Sequence, residues 1–249
     1  MGAWRSLVPL RRRKSGGLTQ MDGALDTGGT KALAFELGFD LVGVLDPALS
    51  HAPGWVRSVL VLGYATLDEA YDYNVYVDVQ GARRWSKLAY EVLVARSARL
   101  ALALRDRGAR AEPLTFEDSA SLIDLRKAAV ATGLGVLGKN ELVVTARFGP
   151  RVRFGAVFTD LELPYDRPLR EYYCSSCVRC LSACPTGALG PSGLDRSRCL
   201  ADFAPSREML ALQKQLLRQL SPFARLQCSA CVTACPIGSK LAVPYWDGE

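Results

Sequence analysis

Eight cysteines are the residues of this chain best suited to chemistry, and all of them lie in its last third. Cys174, Cys177, Cys180 and Cys184 form a C-x2-C-x2-C-x3-C run followed by Pro185. Cys199 stands alone, and Cys228, Cys231 and Cys235 form C-x2-C-x3-C followed by Pro236. Two-residue gaps let a tight loop present successive thiolates to three corners of one iron–sulfur cube, while the closing Cys-Pro pair turns the fourth sulfur towards a neighbouring cube. The second set reads as the first with its opening gap stretched by an inserted helix. By that crossing rule Cys174, Cys177, Cys180 and Cys235 hold one [4Fe–4S] cluster, and Cys184, Cys199, Cys228 and Cys231 hold a second beside it, an electron relay. Two zinc sites would instead pair C-x2-C knuckles, and a disulfide scaffold would be small and secreted.

A second stretch, "GLGVLGKN" at 133–140, has glycine spacings close to those of dinucleotide and phosphate loops. Each of those motifs needs a strand running in and a helix opening after it. Here the order is reversed. Upstream, Leu122, Leu125, Ala129 and Thr132 recur at helical spacing; downstream, Leu142, Val143 and Val144 form an apolar, β-branched run of strand length. The stretch is therefore expected to be a glycine-capped helix end.

The elements that position these residues follow from periodicity. "TKALAFELG" is expected to be a helix closed by Gly38, "FDLVGVLD" a strand, and "VRSVLVLGYA" a strand buried on both faces. "WSKLAYEVLVARSARLALALRDRG" is expected to be the longest helix, with Leu93, Leu100 and Leu104 on one stripe and Gly108 as its stop. "ELVVT" and "RFGAVFTD" supply further strands, so residues 21–165 make an α+β domain. From "LPYDRPLREYY" onward prolines break any continuing strand, and residues 166–249 form a loop-rich, cysteine-dense domain with one helix near "REMLALQKQLLRQL".

Composition agrees with a globular protein: of 249 residues, 49% are hydrophobic and 22% charged. No apolar stretch approaches the roughly 18 residues of a membrane span. Of the net charge of +6, five charges belong to Arg5, Arg11, Arg12, Arg13 and Lys14, so the body beyond residues 1–20 is close to neutral. Residues 1–20 are expected to be a disordered basic tail with no apolar signal segment, and Met21 is an alternative start. A near-neutral body without a basic stripe offers little to a polyanion.

Several segments together, "ELGFDLVGV", "VRSVLVLGYA", "EDSAS", "GLGVLGKN", "FTDLEL" and "CSSCVRCLSACPTGAL", resemble the epoxyqueuosine reductase family, cobalamin-dependent iron–sulfur enzymes related to reductive dehalogenases. The resemblance covers about residues 30–240. It implies a nitroreductase-like, cobalamin-binding sheet domain followed by a ferredoxin-like double [4Fe–4S] domain. It also implies that the clusters reduce a base-off cobalt to Co(I), which removes oxygen or another leaving group from a small-molecule or nucleotide substrate. An external low-potential donor would supply the electrons in the cytoplasm.

The same resemblance places the glycine turn near the corrin, with Gly133, Gly135, Lys139 and Asn140 as cofactor contacts. Asp118 of "EDSAS" resembles the family's proton-donating aspartate, with helix capping as its alternative role. Ser121 stands where the family has proline. Tyr73 matches a family Asp-Tyr-His stretch in which Asn74 replaces the histidine. His51, the only histidine, is expected to be a loop residue and not a ligand. The chain ends soon after the second cysteine set, where tRNA-acting members continue into a helical-repeat tail, so tRNA is not the expected substrate. Two other readings remain open: an electron carrier without its own corrinoid, and a flavin-binding form of the same sheet.

Overall fold

The computed structural model describes residues 25–68, 71, 73–79, 82–202, 206–221 and 224–243; the basic tail and Met21 lie outside the described residues. The chain opens with α1 (Thr27–Glu36), whose cap residue Asp26 accepts the Gly29 amide at 2.7 Å, and Gly38 leaves it at φ 90°. Strands β1 (Leu41–Leu45) and β2 (Ser58–Ala65) follow, then a hairpin of β3 (Tyr73–Val79) and β4 (Ala82–Lys87). Next come α2 (Leu88–Arg105), β5 (Ala111–Pro113), α3 (Phe116–Leu122), α4 (Leu125–Ala131), the short β6 (Val136–Leu137) and β7 (Val143–Val144), and β8 (Val152–Thr159).

The main sheet runs β1-β2-β8-β5 with every pair antiparallel. All eight residues of β2 are buried, as its unbroken apolar sequence predicts. Their side chains alternate. Leu60, Leu62 and Tyr64 join the core under α1 and α2, together with Leu93, Leu100 and Leu104 of the predicted stripe. Val59, Val61 and Ala65 face the other core, with Ala128 and Ala129 of α4. Each such large side chain stabilises the sandwich by about 1.5–3 kcal/mol, so the sheet is a rigid floor for what lies on its edges.

Two expectations are corrected. The long helix begins at Leu88, because the "WSK" segment closes β4, where Lys87 pairs with Asn74 and Ser86 with Val75. Cross-strand pairing overrides the helical period there. The helix before Gly133 is also two helices: Ile123 is extended at ψ 133°, and Asp124 restarts the chain by accepting the Arg126 and Lys127 amides at 3.0 and 3.2 Å.

Beyond β8 the chain crosses the sheet edge as a pinned strap. Ser58 donates to the Leu161 carbonyl and accepts the Leu163 amide, and Asp166 accepts both Lys31 Nζ and the Val44 amide at 2.7 Å. The cysteine-rich part then contains α5 (Arg179–Ser182), β9 (Leu189–Gly190), β10 (Gly193–Leu194), α6 (Arg207–Leu216), β11 (Gln219–Ser221), β12 (Ala224–Leu226) and α7 (Ala230–Thr233). Its β11 and β12 extend the β3–β4 hairpin into a second sheet, β11-β12-β3-β4. The two parts of the chain thus share backbone hydrogen bonds.

Candidate metal centre and cofactor cavity

The two cysteine sets are built the same way. Cys180 and Cys231 sit on the one-turn helices α5 and α7, which pack against each other. Two residues past each helix end comes a Cys-Pro pair, Cys184-Pro185 and Cys235-Pro236, followed two residues after the proline by a glycine with positive φ, Gly187 at 60° and Gly238 at 73°. A helix of one turn suits this task, since proline can turn the chain away shortly after it.

Electrostatic neighbours sort the thiols into two groups. Burial raises the Cys180 thiol, with Cys174 and then Cys177 adding to it. Burial also raises Cys235, where the Ile237 amide and the Arg151 guanidinium pull the other way and Cys174 and Cys177 push up. Cys228 is raised by burial and by Cys199 and Cys184, while Cys231 is pushed up to about 12 by burial, then by Cys228, Cys199, Cys180 and Cys184. Cys184 differs: burial opposes its ionisation, yet the amides of Leu189, Thr186 and Ala188 and the Thr186 hydroxyl outweigh it and hold the thiol below its ordinary range. Cys199 accepts the Ala201 amide at 3.4 Å. Cys174, Cys177, Cys180 and Cys235 thus neighbour one another, as do Cys184, Cys199, Cys228 and Cys231, and the Cys231–Cys180 influence marks where the groups adjoin.

Among the described residues no three His, Cys, Asp or Glu side chains converge on a single metal ion. A cubane asks for a wider set, because each thiolate binds a different iron.

A cavity of about 840 Å³ lies between the main sheet and the cysteine-rich part. Its walls are the α2 face at Tyr90, Leu93 and Ser97, the α3–α4 stretch from Thr115 to Arg126, β8 at Val152–Gly155, and the hairpin residues Asn140–Val143. Cys184, Cys199, Cys228 and Cys231 all line it, and none of Cys174, Cys177, Cys180 and Cys235 does. Small-molecule sites span about 300–1,000 Å³, so this one suits a large ligand. The buried Lys87, which bonds Gln227 Oε1, and Arg126, Arg153 and Arg196 place positive charge on the walls, against Asp124, Glu141 and Asp202.

Of the expected cofactor contacts, Asn140 lines the cavity; it is 5% exposed and its Oδ1 accepts the Leu142 amide. Gly133, at φ 70°, ends α4 as expected, and a Cβ there would lie 2.5 Å from the Arg167 carbonyl oxygen. A Cβ on Gly135 would lie 2.6 Å from the Val144 carbonyl oxygen, so both glycines admit the chain's own backbone. Lys139 reaches elsewhere: its Nζ donates to the carbonyls of Ser175 at 2.6 Å and Cys177 at 3.1 Å. Asp118 is the third residue of α3, in a capping box with Thr115, whose hydroxyl it accepts at 2.8 Å. Its neighbours Ser119, Ala120 and Ser121 form cavity wall. His51 stands on the same wall, with its amide bonded to the Leu122 carbonyl. Tyr73 pairs with Leu226 across β3 and β12, two residues before Cys228. Sequence reasoning passed over Lys87 and Arg151, which carry no motif.

Residues 173–238 match the family described as a 4Fe-4S double cluster binding domain. The chain is homologous to both epoxyqueuosine reductases and reductive dehalogenases. It is 29% identical to the epoxyqueuosine reductase of Pseudomonas aeruginosa over 92% of its own length and 60% of that protein. With the tetrachloroethene reductive dehalogenase of Desulfitobacterium hafniense it shares 32% identity over 85% of its length and 40% of the relative. It therefore spans about half the length of these relatives. Its fold superposes on a crystal structure of epoxyqueuosine reductase with a TM-score of 0.61 at 19% identity, covering 87% of this chain and 66% of that one. A catabolic reductive dehalogenase gives 0.51 at 17% identity over 86% and 34%.

Proposed function

We propose that this chain is an iron–sulfur reductase that passes electrons through two [4Fe–4S] clusters to a base-off cobalamin in the 840 Å³ cavity. Its reaction would remove oxygen or another leaving group from a small-molecule or nucleotide substrate. One observation carries this reading: all four cysteines of one set, and none of the other, line the cavity, so one cluster would face the cofactor and the other the surface side. Cobalamin, when bound, supplies a strongly reducing, nucleophilic cobalt. Residues 21–165 form the cofactor and substrate part, a nitroreductase-like sheet in this proposal, and residues 166–249 the electron-delivering part.

The chain's own groups have separable tasks. Cys184, with its ring of amides, would hold the cavity-side cluster together with Cys199, Cys228 and Cys231. Asn140 and the hairpin residues Glu141–Val143 form part of the cavity wall. Asp118 is the proposed proton donor to the departing oxygen, which requires its carboxylate to leave Thr115 and turn past Ser121. Tyr73 is proposed to stand beside the substrate on the strand stitched to β12. A nucleotide substrate accords with the solved epoxyqueuosine reductase bound to a tRNA stem loop and with the cavity's lysine and arginines. Oxygen-labile clusters would favour a reducing compartment, the cytoplasm in this proposal; among the described residues no helix is long and apolar enough to cross a membrane.

The test is anaerobic reconstitution with iron and sulfide, followed by absorption and EPR spectra with and without cob(II)alamin. A base-off Co(II) signal beside two reduced cubane signals is expected. Two cubanes with an unchanged free-cobalamin spectrum would replace the reductase with an electron carrier, and released yellow flavin would replace the corrinoid.

A further inference from the structure

We propose that the surface around the Cys174–Cys180 loop is the docking face for an acidic one-electron carrier protein, which delivers electrons to the cluster held there. The inference rests on reading the cysteines as two cubanes. Cys184, Cys199, Cys228 and Cys231 turn to the cavity, which leaves the loop of Cys174, Cys177 and Cys180 as the route from outside. Ser175 and Ser176 on that loop are exposed.

The face is apolar where it should be polar. Leu137 is 41% exposed, Leu169 45%, Tyr172 54% and Val178 50%. They are held together and not scattered. Tyr172 donates its hydroxyl to the Leu137 carbonyl at 3.0 Å, and Lys139 of the same hairpin bonds the carbonyl of Cys177, next to Val178. The Arg167 carbonyl and the Leu169 amide lie against Gly133, at the root of that hairpin. A cluster of exposed aliphatic and aromatic side chains in one place marks an interaction surface. Tyrosine and arginine are the residue types enriched where proteins meet.

Charge identifies the occupant. Residues 167–180 carry three arginines, Arg167, Arg170 and Arg179, against one acid, Glu171, and all four are exposed. A partner with a negative face would be steered to it. In the step itself one electron leaves the carrier's reduced flavin or iron–sulfur centre, and one enters the cube of the first cysteine set. No bond forms or breaks.

The experiment mixes reconstituted full-length chain with photoreduced bacterial flavodoxin in a stopped-flow spectrometer and follows bleaching of the clusters. Arg167→Glu/Arg170→Glu should slow the second-order reduction by about tenfold or more at low ionic strength. Added salt should slow the wild type and leave the variant nearly flat. Reduction by dithionite, iron content and EPR line shapes should be the same in both, which separates docking from damage to the cluster. Leu169→Asn should also slow flavodoxin and spare dithionite. An unchanged flavodoxin rate in both variants, or a wild-type rate indifferent to salt, overturns the proposal. If reconstitution yields no cubane signals, the cluster reading fails and the docking face falls with it; if signals appear and only the rates disagree, the docking face alone is lost.

Discussion

The cysteine-rich part is locked to the main sheet at a point where two backbones touch, and Gly149→Ala probes it. Gly149 closes a tight turn in which Thr145 and Gly149 exchange amide–carbonyl bonds at 2.9 Å. Its φ is 59°, and a Cβ there would lie well inside 3.0 Å of the Ile237 carbonyl oxygen, just beyond Cys235. Gly238, at φ 73°, meets the Phe148 backbone equally closely from the other side. That same Ile237 oxygen accepts Arg151 Nη1 at 2.9 Å, and Arg151 Nη2 bonds the Thr233 carbonyl at 3.4 Å. Forcing an L-residue into the left-handed region costs about 1–2 kcal/mol. Separating the turns also removes a charge-assisted hydrogen bond of about 1.5–3 kcal/mol, so the total is about 3–5 kcal/mol. For a chain of this size that lowers Tm by about 6–20 °C. Two controls divide the cost. Gly108 has φ 90° and open space around it, so Gly108→Ala should show the backbone penalty alone, about 1–2 kcal/mol. Gly54 has open space and no left-handed φ, so Gly54→Ala should stay within about 0.5 kcal/mol of wild type or stabilise slightly. Anaerobic thermal melts followed by circular dichroism, with iron counted before and after, read all three. If Gly149→Ala costs no more than Gly108→Ala, the close approach does not hold the two parts together.

Cys235→Ala should abolish the EPR signal of the cluster shared with Cys174, Cys177 and Cys180 and leave the other; loss of only the other signal would refute the crossing. Lys139→Met removes an ammonium that bonds the Ser175 and Cys177 carbonyls, so the midpoint potential of that first cluster should fall while the cavity-side cluster keeps its own, as redox titration followed by EPR would show. Tyr64 is raised to about 12 by burial, then by its hydrogen bond to Tyr71 and that ring's charge, against the opposing Arg96. A raised folded pKa stabilises the fold fully below the ordinary value of 10 and loses that contribution as pH climbs towards 12. Tyr64→Phe should therefore lessen the decline in stability between pH 10 and 12, measured by urea midpoints; an unchanged decline assigns it to other groups.

What the sequence made legible was local. The cysteine spacing, the fully buried run 58–65 and the helix stops at Gly38, Gly108 and Gly133 each follow from a few adjacent residues, because spacing, burial and positive φ are properties of short segments. The second sheet was not legible. β3 meets β12 across some 150 residues of chain, and residues 82–87 of β4, "ARRWSK", carry no alternation that announces a strand. The partners of Lys139 were hidden for a similar reason: a lysine after glycines suggests a ligand contact, and only the folded chain shows the Ser175 and Cys177 carbonyls in reach. Lys87 and Arg151 look like surface residues until long-range partners bury them to 2% and 4% exposure.

The arrangement of the cysteines also explains why the cavity lies where it does. On the proposed crossing the last cysteine of each set serves the other group, so Cys184 and Cys235 would tie α5 and α7 into one unit with two distinct sides. One side is fixed to the turns at Gly149 and Gly133 through Arg151 and Lys139, which aims its loop at solvent. The other side must then face back across the sheet towards α2 and α3, and the space enclosed there is the cavity. On that proposal a relay would have its entry and exit set by the hydrogen bonds of Arg151 and Lys139. Loosening Lys139 or the Gly149 turn should therefore disturb ligand binding in the cavity as well as the first cluster, although neither residue lines it. Cob(II)alamin affinity measured on Lys139→Met reads that coupling: an affinity equal to wild type would show that the two sides move independently.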